Sequence, residues 1–167
     1  IFIAPADEDD TSSGTSEVPD GNIDENNKFI AWNNDQNQKT TADSLSDGLT
    51  NTRKLVGNGG GNSGRHPAAE VCDDKNLGGA DWYLPARDEL QAAFDNLVDT
   101  DYNGSVNGPE ATDAENAYGF DFDWRISGKY WSSSEDKDYS AWVVRFFDGN
   151  QHVDGKANAS SVRCVRR

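Results

Sequence analysis

Residues 81–90 read DWYLPARDEL, and within these ten residues the backbone must change from extended to helical. Trp82 and Leu84 alternate as a short extended segment. Pro85 fixes its own φ and drives Leu84 out of the helical region, so the extended run stops there. Proline suits a first helical position, and Asp88 and Glu89 bring negative charge to the positive end of a helix. Leu90, Phe94, Leu97 and Val98 then recur at i, i+4, i+7 and i+8, which predicts one apolar stripe on a helix running to about Val98. The polar residues of the segment are expected to face outward. None of them pairs a nucleophile with a base, so this corner reads as architecture rather than chemistry.

Upstream, Ile1 to Ala4 reads as a strand ending at Pro5, and residues 6–28 as a long acidic loop too polar to bury a core. Asp7, Glu8, Asp9 and Asp10 form its solvated tip. The apolar residues Phe29 to Trp32 predict a second strand. Residues 42–56 predict a helix capped by Thr40 or Thr41, with Leu45, Leu49, Thr52 and Val56 at helical spacing and Gly48 as its weak point. The glycine-rich residues 57–64 read as a flexible connection; no Gly-Lys-Ser/Thr follows, so this is not a phosphate loop. Residues 67–73 predict another helix, with proline at its start and Ala68, Ala69 and Cys72 on one face.

Downstream of the corner, residues 99–110 read DTDYNGSVNGPE. Set against a twelve-residue calcium loop, they place Asp99, Asp101, Asn103, Ser105, Asn107 and Glu110 at positions 1, 3, 5, 7, 9 and 12, with Gly104 at the sharp turn. Alternate side chains of such a loop converge on one hard cation, and the terminal Glu supplies two oxygens. A structural Ca2+ is therefore expected here, although Pro109 is unusual in this position and no periodic exiting helix follows. Phe120 to Trp124 reads as a strand or extended loop. Residues 141–147 predict a strand with Trp142, Val144 and Phe146 on one face and Val143, Arg145 and Phe147 on the other. Asp148-Gly149-Asn150 predicts a hairpin turn, residues 151–153 a return strand, Asp154-Gly155 a further turn, and residues 161–166 the last strand. The C-terminal third is thus an antiparallel meander.

The 167 residues fit one domain, 1–167. Hydrophobic residues make up only 34%, but five Trp, five Tyr and seven Phe supply enough large apolar bodies for a core. A net charge of −15 repels nucleic acid and anionic membranes, which removes both from the expected partners. No apolar run is long enough to cross a bilayer, and the start is too short and acidic for a signal peptide; the chain reads as a mature piece or an excised domain. Cys72 and Cys164 lie in no metal-ligand spacing with each other or with His66 and His152, so zinc is not expected. They form either a disulfide or two buried thiols, and the extracellular look of the composition favours the disulfide.

Several short motifs keep a common order along the chain: Phe2-Ile3-Ala4-Pro5, Asp47-Gly48 with Asn51-Thr52, Ala68-Ala69 with Cys72, and Gly78-Gly79. Trp82-Tyr83-Leu84-Pro85 with Glu89-Leu90, Tyr130-Trp131-Ser132-Ser133-Ser134, Ala141-Trp142, Phe146, Gly149 and Val162-Arg163-Cys164-Val165-Arg166 continue it. In this order the chain resembles the C-terminal domain family of the Legionella collagen-like protein. The resemblance implies an α+β module with a C-type-lectin-like fold: paired N- and C-terminal strands, two main helices and a C-terminal antiparallel meander. It also implies a place in a larger bacterial surface protein, extracellular, where such domains bind sugars or host proteins. Two departures stand out. The named relative holds sulfated polysaccharide on basic surface, which −15 opposes here. The Glu-Pro-Asn type of calcium–sugar motif is absent, and Trp32-Asn33-Asn34-Asp35 only approximates its Trp-Asn-Asp partner.

No catalytic constellation converges: His66 and His152 lack a Ser or Cys partner in motif context, and Ser132 to Ser134 do not form a nucleophile elbow. The expected function is adhesin-type binding of a glycan or protein ligand through Tyr139, Arg145, Phe147, Asp148, Asn150, His152, Lys156 and Asn158, because aromatic rings beside amides and charges suit such ligands. A structural cap without a ligand, or a phage tail receptor-binding tip, are the alternatives.

Overall fold

The computed structural model describes residues 2–4, 29–34, 39–57, 65–75, 81–98 and 128–167. The acidic loop, most of the glycine run, the 99–110 segment with its six candidate calcium ligands, and Phe120 to Trp124 lie outside the described residues. The fold is mixed α+β. Its elements run β1 (Phe2–Ile3), β2 (Ile30–Ala31), α1 (Gly48–Leu55), α2 (Pro67–Asp73), α3 (Arg87–Leu97), β3 (Lys129–Lys137), β4 (Ser140–Arg145), β5 (Gln151–Gly155), β6 (Ala159–Ser160) and β7 (Val165–Arg166).

The first and last strands pair antiparallel, Phe2 opposite Arg166 and Ile3 opposite Val165, as expected. Cys72 of α2 and Cys164 are joined in a disulfide with Cα atoms 5.3 Å apart, so α2 is stapled beside this terminal ribbon. β2 pairs with β6, and β3, β4 and β5 form an antiparallel sheet in that order. The meander is therefore present, with two corrections. β5 runs through Asp154 and Gly155, and the turn falls at residues 156–158. Of the predicted last strand, 161–166, only Val165–Arg166 is a strand (β7); residues 161–164 are buried but outside a regular strand, and β6 at Ala159–Ser160 precedes them.

β4 divides the core. Val143 packs with Trp32, Leu84, Trp131, Val162 and the disulfide, whereas Val144 and Phe146 pack with Leu90, Phe94, Val98 and Tyr130. Strand alternation sends successive side chains to opposite faces, so one strand serves two clusters. Phe94 meets Phe146 edge-on at 5.6 Å, which fixes α3 against the sheet.

The 81–90 corner has the expected extended-to-helical change. Tyr83 exchanges both backbone hydrogen bonds with Val165, at 2.8 and 3.0 Å. The helix, however, begins at Arg87 and not at Pro85. The Pro85 carbonyl accepts the Ser133 N–H at 2.8 Å, so it belongs to the sheet junction. Glu89 does not face outward either. Its Oε2 accepts the N–H groups of Ala86 and Gly48, at 3.0 and 3.1 Å, and its Oε1 accepts the Tyr83 hydroxyl at 3.2 Å.

The first helix is shorter than predicted; three helices are described, as the residue patterns predict and one more than the two main ones the resemblance implies. α1 starts at Gly48 with Asp47 as its cap, the carboxylate accepting the Thr50 N–H at 3.1 Å. Thr40 and Thr41 do not cap it: they lie seven and six residues before Asp47, the Thr40 hydroxyl accepts the Ala42 N–H at 3.2 Å, and both backbone N–H groups donate to Glu135 on β3. Gly48 is a requirement here and not a weak point: a Cβ would stand 2.5 Å from the Ala86 nitrogen and 2.6 Å from the Leu84 carbonyl oxygen. α2 spans the predicted residues.

Candidate functional site

The eight residues expected to contact a ligand fall at opposite ends of the β3–β4–β5 sheet. The β4–β5 hairpin carries Arg145, Phe147, Asp148 and Asn150 at one end, while the β3–β4 and β5–β6 turns carry Tyr139, Lys156 and Asn158 at the other. The five residues of β5 separate the ends by roughly 15 Å at strand rise. One small ligand cannot bridge both groups.

The hairpin end is closed by its own backbone. The Arg145 N–H donates to the Asn150 carbonyl at 3.0 Å, and the Gly149 N–H donates to the Arg145 carbonyl at 2.8 Å. Gly149 has φ of 65°, and a Cβ there would lie 2.4 Å from Phe94 Cε1, so only glycine fits against α3. Asp148 gathers the neighbouring donors. Its Oδ1 accepts Arg145 Nε at 3.2 Å and the Asn150 N–H at 3.0 Å, and its Oδ2 accepts Asn150 Nδ2 at 2.7 Å and Arg145 Nη2. The Arg145 guanidinium lies 4.8 Å from the centre of the Phe147 ring. A planar cation, a carboxylate, an amide and an aromatic ring are thereby held on one rigid turn.

His152 follows on β5. Burial lowers its pKa, and the nearby Lys129 and Arg145 charges lower it further, against the opposite pull of Asp154 and Asp148. Its imidazole is thus held neutral close to the hairpin group, with a buried Nδ1 that has no hydrogen-bond partner among the described residues.

At the far end, Tyr139 is 57% exposed and Asn158 donates to Asp154 Oδ1 at 2.5 Å. Lys156 is a correction: it is fully buried and does not present its ammonium to solvent. Its Nζ pairs with Glu135, donates to the Asp138 carbonyl at 2.8 Å and lies 4.8 Å from the Trp32 ring centre. Glu135 is buried with it and also accepts the Thr40 and Thr41 N–H groups, at 2.9 and 3.1 Å. His66 also packs on Trp32, edge-on at 5.5 Å and buried. Desolvation holds its pKa down at about 4, with the Lys156 charge acting in the same direction.

This inner cluster escaped sequence reasoning. Alternation could not have found it, because the β3–β4 register shifts between Trp131 and Glu135 and all six residues of YWSSSE are buried; nothing local marked Lys156 as its partner. Among the described residues no group of three or more His, Cys, Asp or Glu side chains is placed to hold a metal ion. No helix among them is long and apolar enough to cross a membrane.

A family model described as the Lcl C-terminal domain matches residues 21–166. No curated protein and no solved structure matches the chain.

Proposed function

The chain belongs to the Lcl C-terminal domain family, and from that premise we propose that it is the terminal, ligand-binding module of a larger bacterial surface protein, acting by recognition and not by catalysis. The family description supports a place at the C-terminal end of a longer polypeptide. The Cys72–Cys164 disulfide suits an oxidising, extracellular setting. The paired termini, the stapled helix and the antiparallel meander are consistent with a C-type-lectin-like scaffold.

One observation carries the reading: Arg145, Phe147, Asp148 and Asn150 converge on a single hairpin tip whose backbone is fixed against α3. A ring that can stack, beside forked donors and acceptors, is the chemistry by which a sugar or a polar peptide is held and oriented. His152 adds a neutral imidazole beside it. Calcium bound by Asp99, Asp101, Asn103, Ser105, Asn107 and Glu110 would stiffen the scaffold.

A glycan and protein array, probed with and without calcium, tests the proposal. Specific binding that Asp148→Ala with Asn150→Ala abolishes, while the fold persists by circular dichroism, supports it. A silent array favours the structural cap, a reading that gains weight from Asp148 already being satisfied by its own neighbours. For the metal, an unchanged melting temperature in millimolar calcium removes it from the account.

A further inference from the structure

α3 lies along the sheet so that Arg87, Gln91 and Asp95, spaced four apart, form one stripe facing β4 and β5. Gln91 Nε2 donates to Asp95 Oδ1 at 2.9 Å, and Gln151 Nε2 of β5 donates to Gln91 Oε1 at 2.9 Å, so an amide chain crosses from helix to strand. One turn earlier, the Arg87 guanidinium lies 4.9 Å from the centre of the Trp142 ring. Trp142 is half-buried, and Val153, directly opposite it in register, is 43% exposed. The seam therefore carries, in order from the hairpin tip at Asn150, the Gln151–Gln91 pair and, one helical turn further, the Arg87–Trp142 stack.

From this geometry we infer that the α3–β5 seam is a binding track for an uncharged oligosaccharide, an extension of the hairpin-tip site and resting on the reading given for that tip. An indole offers a face to the C–H side of a pyranose, and side-chain amides pair with adjacent hydroxyls as donor and acceptor at once. Charge selects the class. Arg87 is neutralised by Asp88 at 2.8 Å, the glutamines are neutral, and Asp95 is acidic, so the seam gives an anionic ligand nothing and the net charge of −15 opposes it. The side chain of Arg87 is tied to its sequence neighbour alone among the hydrogen bonds and ion pairs described, which leaves it able to swing off the ring when a sugar enters.

Calorimetric titration of neutral oligosaccharides of increasing length, from a monosaccharide upward, tests the track, using the intact domain, Gln151→Ala, Trp142→Ala and the double tip variant Asp148→Ala with Asn150→Ala. The expected result is an affinity that rises with length by on the order of ten-fold, the equivalent of about 1.4 kcal/mol. Gln151→Ala and Trp142→Ala lose that rise and keep the monosaccharide affinity, while the tip variant loses both. Gln151 is exposed, so its replacement reads out binding even if Trp142→Ala unfolds. An affinity independent of length, a rise that survives Gln151→Ala, or tighter binding of sulfated or carboxylated chains overturns the track and leaves the tip site standing. Absence of any carbohydrate binding overturns the track, and protein binding abolished by the tip variant would then show that the tip reading survives it.

Discussion

Replacing Lys156 by Met removes the positive half of a fully buried ion pair and leaves the other half in place. Both side chains are inaccessible, at 0% and 1% exposure, so water cannot rescue the stranded Glu135 carboxylate. Breaking such a pair from one side costs about 3–5 kcal/mol. Here the lower end applies, because the carboxylate keeps the Thr40 and Thr41 N–H donors. At about 3 kcal/mol, and about 2–4 °C per kcal/mol for a domain of this length, the melting temperature falls by roughly 6–12 °C. Glu135→Gln takes away the negative charge that faces the buried ammonium, which keeps the Asp138 carbonyl and the Trp32 ring, and costs a similar amount. With both replaced neither charge of the pair remains, so the double variant is more stable than the sum of the single effects by about 2 kcal/mol or more. Urea unfolding of the four proteins completes the double-mutant cycle. Single losses below about 1 kcal/mol, or simple additivity, would refute the claim that the pair is dry and mutually dependent.

Three other outcomes are expected. His66 has its folded pKa depressed from 6.5 to about 4, so the unfolded chain binds the extra proton first as the pH falls. The stability this group contributes is complete above about pH 6.5 and drains away toward about pH 4, by as much as about 3 kcal/mol; His66→Phe flattens that part of the stability–pH curve, and an unchanged slope sinks the assignment. Cys72→Ala with Cys164→Ala costs about 2–5 kcal/mol by chemical denaturation, and a loss under about 1 kcal/mol would mean that the staple constrains little. Gly149→Ala forces both a positive φ and a collision with the Phe94 ring, so it costs more than about 1 kcal/mol and broadens or shifts the Phe94 resonances; equal stability would place the hairpin away from α3.

Features written in local chemistry were legible in the sequence. α2 is bounded as Pro67 and its apolar face predicted, and the turn at Gly149 follows from Asp-Gly-Asn between two strand-like runs. The pairing of Cys72 with Cys164 had only one possible partner for each sulfur. Helix α1 was not legible in its bounds, because Leu45 extends the helical spacing of Leu49, Thr52 and Val56 back beyond Gly48, but the hydrogen bonds of residues 40–44 go elsewhere. Thr40 and Thr41 donate to Glu135, Ser44 N donates to Asn51 Oδ1, and Thr41 sits at a φ of 63°. The site was half legible: residue types marked the hairpin tip, but residue types along one meander cannot show that alternate turns point to opposite ends of the sheet. Lys156, next to Gly155 and in a turn, has every local sign of a solvent-facing residue, and it is partners distant in sequence, Glu135 on β3, the Asp138 carbonyl and the Trp32 ring, that hold it inside.

Glu89 and Glu135 do the same physical work in two places. Each carboxylate is nearly or fully buried, and each collects N–H donors from a segment that is neither helix nor strand or from a helix start: Ala86 and Gly48 for Glu89, Thr40 and Thr41 for Glu135. A cation closes each set, Arg167 on Glu89 and Lys156 on Glu135. Buried backbone donors must be satisfied, and a segment outside regular structure cannot do this for itself. With only 34% hydrophobic residues the chain has limited apolar surface with which to press such segments into place. A carboxylate accepts several hydrogen bonds at once through strong, charge-assisted geometry, so one acidic side chain can fix a whole loop end. Some of the chain's acidity is therefore internal scaffolding and not surface charge. Because a cation balances each of the two carboxylates, the net charge of −15 is unchanged, and what these two acids supply is the fixing of loop ends against the sheet and helix starts.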